Sequence, residues 1–248
     1  MEEGVTLKKN SGLGIIEFTH PQSNSMPGKL LRELADAIDD AGIDPEIIVI
    51  LLKSSGEKTF CAGAFFDELL TIKNEKTGWD FFMGFANVIN SLRRTTKFVI
   101  GRVQGKCVGG GVGLAAAVDY CFATEAAEIR LSELVIGIGP FVVGPAVERK
   151  MGLSAFSQLS IDAASWRSSH WAKTHGLFAE VFPTISEMDD AIERLIHSLL
   201  TSNPEAMAQM KKIFWTGTDH WDQLLSYRAT ISGKLVLSEY TKKALAKK

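Results

Sequence analysis

The apolar positions of this chain change spacing several times, and each change marks an element. Residues 13–19, Leu-Gly-Ile-Ile-Glu-Phe-Thr, are β-branched and partly alternating, as a strand should be, and His20-Pro21-Gln22-Ser23-Asn24-Ser25-Met26-Pro27 breaks the run into a loop. From Gly28 onward Leu30, Leu31, Leu34, Ala37, Ile38 and Ala41 recur at helical spacing, until Gly42 and Asp44-Pro45 stop them. The continuously apolar run 47–52 then predicts a strand buried on both faces. Strand, helix and buried strand together predict an α/β chain.

The same alternation continues. Thr59-Phe60-Cys61-Ala62-Gly63-Ala64 turns out of the sheet, helical spacing is expected around 68–72 and 79–93, and 98–103 is another buried strand. Gly109 to Gly111 opens a helix of small residues ending near Val118; with Ala115, Ala116 and Ala117 it is apolar all round and should be buried. Strands are expected at 119–123 and 128–132, helices over 142–151, 154–161 and 168–176, and a short strand at 179–182. Beyond Pro183 the pattern is helical. Ser186 with Asp189 predicts a capped start for a helix carrying Met188, Ile192, Leu195, Ile196 and Leu199 on one face. Asn203-Pro204 starts a second helix, and a third runs from Trp221 through Leu235 to the lysine-rich end. These last helices are expected to lie remote from the sheet and must bury their stripes against something, and another subunit is a candidate.

Composition changes this picture by exclusion. With 248 residues, 46% hydrophobic and 23% charged, and 27 basic against 29 acidic residues for a net charge of -2, the chain reads as a globular domain with no bias toward nucleic acid. Three cysteines without a C-x-x-C pair speak against a disulfide framework or a structural zinc site, and no metal is expected. The longest uncharged apolar stretch, 107–118, is too short for a membrane helix, and the acidic start Glu2-Glu3 differs from the basic start of a signal peptide. A cytoplasmic, membrane-free protein is the expectation.

Three segments combine a strand end, glycine and polarity: 60–68, 105–113 and 132–145. Glu133 has the most apolar surroundings of any acid in the chain, followed by Leu134-Val135-Ile136-Gly137-Ile138; such surroundings disfavour the charged form and raise the pKa toward neutrality. It is the leading general-base candidate; a helix cap or a pair with Arg130 is the structural alternative. Gly109-Gly110-Gly111 before a helix lets backbone N–H groups approach a phosphate or oxyanion. The overlapping Gly111-Val112-Gly113-Leu114-Ala115-Ala116 fits G-x-G-x-x-A, a dinucleotide fingerprint, and close packing of a buried helix explains the same glycines. Cys61 is expected in the core rather than as a nucleophile, and His170 and His175 have the wrong spacing for a helical metal face. Lys242, Lys243, Lys247 and Lys248 form a basic end that normally faces solvent.

Taken together these segments resemble the crotonase superfamily, the enoyl-CoA hydratase/isomerase family, over nearly the whole chain. Pro21-Gln22-Ser23-Asn24-Ser25-Met26 is similar to its first CoA-contacting loop, Phe60-Cys61-Ala62-Gly63-Ala64 to its F-x-A-G-A turn, and Lys106-Cys107-Val108-Gly109-Gly110-Gly111 to its glycine-rich turn. Leu131-Ser132-Glu133 and the ending Ser238-Glu239-Tyr240-Thr241-Lys242-Lys243 also fit. The resemblance implies an α/β spiral of repeated β-β-α units over 1–184 and a C-terminal helical oligomerisation region over 185–248, assembled as a homotrimer or dimer of trimers. It implies an acyl-CoA thioester as substrate, with coenzyme A part of that substrate and no separate cofactor. The Ala64 and Gly110 peptide N–H groups would form the oxyanion hole, with Glu133 the base. Ser23, Asn24, Ser25, Ala62, Gly109, Gly113, Phe141, Tyr240 and Lys243 fall at substrate- or CoA-contacting positions, Tyr240 and Lys243 at the adenine end.

Two departures bear on the reaction. Family hydratases carry a first glutamate where this chain has Gly113, so one carboxylate of the usual pair is missing. Isomerases of the family are similar in keeping only the later glutamate, and Phe141 after Pro140 resembles them too. A single base suffices to move a double bond from C3 to C2, which makes Δ3,Δ2-enoyl-CoA isomerisation the expected activity. The second departure, Phe65-Phe66-Asp67, puts Asp67 and Glu68 just beyond Ala64, where either is a candidate replacement acid for hydration or decarboxylation. A non-catalytic acyl-CoA-binding protein of the same fold is the alternative of another class.

Overall fold

The computed structural model describes residues 3–246; Met1, Glu2, Lys247 and Lys248, with the outer half of the expected basic end, lie outside the described residues. The chain is built by repetition of strand, strand and helix. Strands β1 (Gly4–Asn10) and β2 (Leu13–Thr19) form an antiparallel hairpin around Ser11 and Gly12, both at positive φ, and helix α1 (Gly28–Ile43) follows. The next unit is β3 (Val49–Ser54), β4 (Thr59–Cys61), α2 (Phe66–Thr71) and α3 (Glu75–Arg94). A third comprises β5 (Phe98–Val103), β6 (Lys106–Val108) and α4 (Gly110–Ala117). A fourth comprises β7 (Tyr120–Thr124), β8 (Ile129–Arg130), a 3-10 turn (Glu133–Ile136) and α5 (Gly144–Ile161). Helix α6 (Ser169–Thr174) and strand β9 (Glu180–Phe182) close this part, and α7 (Ile185–Leu200), α8 (Pro204–Phe214), α9 (Trp221–Leu235) and α10 (Glu239–Leu245) end the chain.

Both strands of the first hairpin and the first strand of each later unit join one sheet in the order β1-β2-β3-β5-β7-β9, parallel from β2 onward; the second strands of the later units form a separate parallel sheet, β4-β6-β8. The small sheet holds register through Cys61 opposite Cys107 and Cys107 opposite Ile129. Between the layers lies the main core, where every residue of α4 is buried, as its uninterrupted apolar sequence requires.

The other face of the large sheet is closed from within the chain. Met188, Ala191, Ile192 and Ile196 of α7 pack on Val49, Leu51, Ile100 and Phe122. That helix is therefore not remote from the sheet, and burying each of its large side chains contributes about 1.5–3 kcal/mol. Its start also differs from expectation: Thr184, not Ser186, is the cap, because the Glu187 carboxylate reaches back to the Thr184 N–H (3.1 Å) while Thr184 Oγ1 accepts from the Glu187 N–H (3.2 Å). Helix α8 is bolted to the same sheet by a buried ion pair. Lys211 Nζ donates to Asp119 Oδ2 at 2.6 Å, and the same carboxylate accepts from the Val99 N–H at 2.7 Å. The paired helices expected at 142–151 and 154–161 are found as the two parts of α5, separated at Gly152, whose φ of 80° interrupts the helix.

Candidate active site

The small sheet explains how distant segments meet. Its strands end side by side, and each end runs directly into one part of the site: β4 into Ala62, Gly63 and Ala64, β6 into Gly109 and Gly110, β8 into Leu131, Ser132 and Glu133. The Gly109 N–H donates to the Arg130 carbonyl at 2.8 Å, tying the second end to the third. Gly63, at φ 83°, lets the first turn press on the second: a Cβ there would lie 2.9 Å from the Val108 carbonyl oxygen and 3.3 Å from the Gly110 nitrogen.

The loop after β2 straps the first turn from outside. Ser23 accepts from the Ala62 N–H (3.2 Å), the Met26 N–H donates to Gly63 (2.8 Å), and the Phe65 N–H donates to Met26 (3.3 Å). This leaves Ala64 out of the exchange. Neither the Ala64 nor the Gly110 N–H has a hydrogen-bond partner among the described residues, and both residues line one cavity. Gly110 is also the first residue of α4, where the helix leaves N–H groups unpaired and the dipole favours negative charge.

Glu133 enters that cavity from the start of the 3-10 turn, against the backbone of Gly109; a Cβ built on Gly109 would lie 3.1 Å from Glu133 Oε1. Its Oε2 is buried with no hydrogen-bond partner. Burial pushes the carboxyl up to about 7, opposed only by a bond to its own N–H. The site thus holds a base shifted toward neutrality and two unsatisfied N–H donors along one apolar cavity. The remaining walls are largely aromatic and aliphatic: Phe66, Phe82, Phe85, Ile136, Phe141 and Val143. Such a site can remove and return a proton beside a carbonyl whose oxygen the N–H pair stabilises.

Of the residues singled out from the sequence, Ala62, Ala64, Gly109, Gly110, Glu133 and Phe141 line this cavity. Gly113 lies behind it, under Val143. Ser23, Asn24 and Ser25 lie on the strap rather than on the cavity wall, and Asn24 is committed within the chain: Nδ2 donates to the Ser55 and Thr59 carbonyls (2.9 Å each) and Oδ1 accepts from the His20 N–H (3.1 Å). Tyr240 and Lys243 are exposed on α10, whose Tyr240 ring packs on Gly137 at the end of the 3-10 turn. The proposed stand-in acids point elsewhere. Glu68 Oε2 accepts from the Gly28 N–H at 2.7 Å and so caps α1, and Asp67 faces Gln22 (3.5 Å). Cys61 is buried core, with burial pushing its thiol up to about 12. Among the described residues no three His, Cys, Asp or Glu side chains gather as metal ligands would, and no helix is long and apolar enough to cross a membrane.

Sequence reasoning missed Val143 and Ser232. Val143 belongs to an apolar run with no chemical mark, and Ser232 lies far along the chain, on α9, with nothing local to set it apart from other helix serines.

Comparison with known proteins identifies the family. The family described as Enoyl-CoA hydratase/isomerase matches residues 8–246. A carnitinyl-CoA dehydratase of Escherichia coli (strain K12) is 28% identical over 244 residues, covering 95% of this chain and 88% of that protein. Among solved structures, an enoyl-CoA hydratase from Bacillus halodurans superposes with a TM-score of 0.90 at 19% identity, over 98% of this chain and 99% of that one. An enoyl-CoA hydratase/carnithine racemase from Magnetospirillum magneticum gives 0.80 at 20% identity, over 86% and 80%. The spiral of β-β-α units, the paired backbone donors and a family match spanning nearly the whole chain make this protein a member of the enoyl-CoA hydratase/isomerase family of the crotonase superfamily.

Proposed function

We propose that the protein is a Δ3,Δ2-enoyl-CoA isomerase working with one base. The Ala64 and Gly110 N–H groups hold the thioester oxygen, ionised Glu133 takes a proton from C2, and the electron pair passes into a dienolate whose negative oxygen those donors stabilise. Glu133, now a carboxylic acid, returns the proton at C4 and the double bond comes to rest between C2 and C3. One proton leaves and one is restored, so the step needs no further cofactor, coenzyme A being part of the substrate.

The observation that carries this reading is the pairing of a lone Glu133 carboxylate, its Oε2 without a partner, with a blocked Gly113. Hydration in the family divides its proton transfers between two carboxylates, and here the first position offers neither the group nor the room. Dehydration of a 3-hydroxyacyl thioester is the second reading, favoured by relatives named carnitinyl-CoA dehydratase. An assay of the purified protein with 3-enoyl-CoA and crotonyl-CoA separates the two: bond migration exceeding water addition is expected, and the reverse rejects the isomerase. Thioester binding with no turnover on either, unchanged in Glu133→Gln, would mean a binding protein instead. We further propose a homotrimer or dimer of trimers in the cytoplasm; exposed Leu153, Ile161 and Ile213 supply apolar surface for such contacts to cover.

A further inference from the structure

The cavity contains a polar group that this reaction does not use. Ser232 on α9 is 1% exposed and lines the cavity opened by Ala64, Gly110 and Glu133. Helix serines and threonines ordinarily return their hydroxyl to a carbonyl one turn back. Thr230 does so toward Ser226 (3.3 Å), Ser160 toward Phe156 (2.8 Å) and Thr174 toward His170 (3.0 Å). The Ser232 hydroxyl has no hydrogen-bond partner among the described residues.

Its placement is built rather than incidental. Helix α9 lies unusually close to α3 at the neighbouring residue: a Cβ on Gly233 would lie 2.7 Å from the Trp79 nitrogen, and one on Gly78 2.7 Å from the Gly233 carbonyl oxygen. Two glycines facing each other bring Ser232 up to the wall that Phe82 and Phe85 of α3 form. A hydroxyl sealed among phenylalanines favours a ligand that supplies the missing partner.

The rest of the cavity narrows what that ligand is. Glu133 is the only ionisable residue lining it among those described, so a carboxylate on the acyl tail would meet repulsion and no cation. We infer that the acyl group selected by this site carries a neutral oxygen, a hydroxyl or carbonyl, beyond the reacting carbons, where Ser232 meets it. This rests on the acyl-thioester reading above and specifies its substrate class.

Calorimetric titration of the full chain with pentanoyl-CoA and 5-hydroxypentanoyl-CoA tests it without requiring turnover. The hydroxylated thioester should bind about tenfold more tightly to the wild type, and Ser232→Ala should lose that preference while binding pentanoyl-CoA as before. Ser232→Cys, close in size but a weak hydrogen-bonding group, should lose it as well, and serves if the alanine variant melts early. Equal affinity in the wild type, or a preference that survives both substitutions, overturns the inference and leaves the thioester reading standing. Failure to bind either thioester overturns both.

Discussion

Val143 occupies the space that a side chain at Gly113 would need: a Cβ built on Gly113 lies 2.5 Å from Val143 Cγ1 and 2.6 Å from its Cβ. The two residues sit on different helical segments, α4 and the entry to α5, and together they close the flank from which a second carboxylate would enter. Losing the first glutamate and filling its place are thus one feature. Gly113→Glu alone should not create a hydratase. It should cost about 1–3 kcal/mol or more in a denaturant titration through overpacking. Combined with Val143→Gly, stability should partly recover and water addition to crotonyl-CoA should become measurable; appearance of hydration in the single variant would contradict this.

Glu133→Gln keeps the shape of the side chain and removes the base. Isomerisation should fall by about 10²–10⁴-fold in kcat while thioester affinity stays within a few-fold. With a carboxyl near 7, kcat/KM of the wild type should rise with pH and level off above about 7. A flat profile between pH 5 and 8 would remove Glu133 from the chemistry.

The same carboxyl ties stability to pH. Its folded-state value lies above the ordinary 4.5, so between about 4.5 and 7 the folded protein binds more protons than the unfolded chain, and stability falls as pH rises through that window. The loss amounts to about 3 kcal/mol at full deprotonation. Melting curves of wild type and Glu133→Gln should diverge across this range, the variant becoming relatively more stable toward pH 8.

Gly110→Ala tests the oxyanion pair. A Cβ at Gly110 would lie 2.1 Å from Phe85 Cε1, so the helix start or the ring must move. Displacing this donor should cost up to the roughly 3 kcal/mol of barrier that one such donor typically supplies, and kcat/KM should drop by up to about two orders of magnitude. Gly110→Ala with Phe85→Leu should regain thermal stability without regaining the full rate if amide position is what matters.

Glu68→Gln should leave isomerisation nearly unchanged, because its carboxylate is held by the Gly28 N–H at 2.7 Å. Glu68→Ala should lower stability by about 1 kcal/mol by uncapping α1, seen as a lower melting temperature at unchanged kcat. A large fall in kcat for either variant would restore Glu68 as a reacting acid.

Much of this site was legible because its chemistry sits in residues of marked type at strand ends. Ala64 and Gly110 stand in small-residue turns after apolar runs, and Glu133 is an acid in apolar company. The long strands and the all-apolar helix α4 declare themselves by period or by its absence. The small sheet does not: three residues at Thr59–Cys61 or two at Ile129–Arg130 are too few to show alternation, and their pairing depends on contacts far apart in the chain. The start of α7 offered two caps with the same spacing, Thr184 with Glu187 and Ser186 with Asp189, and the extra methylene of glutamate lets the first pair close. Val143 and Ser232 were invisible for a different reason. A valine or a helix serine has meaning only through what it faces, and no local pattern states that.

The Ala64 and Gly110 amides that line the cavity belong to the main chain, so among side-chain replacements only proline would delete either of them. What can be exchanged stands around them: the carboxylate, the valine, the serine. The spiral therefore fixes the donor pair through its backbone, while the side chains around it can change without rebuilding the scaffold.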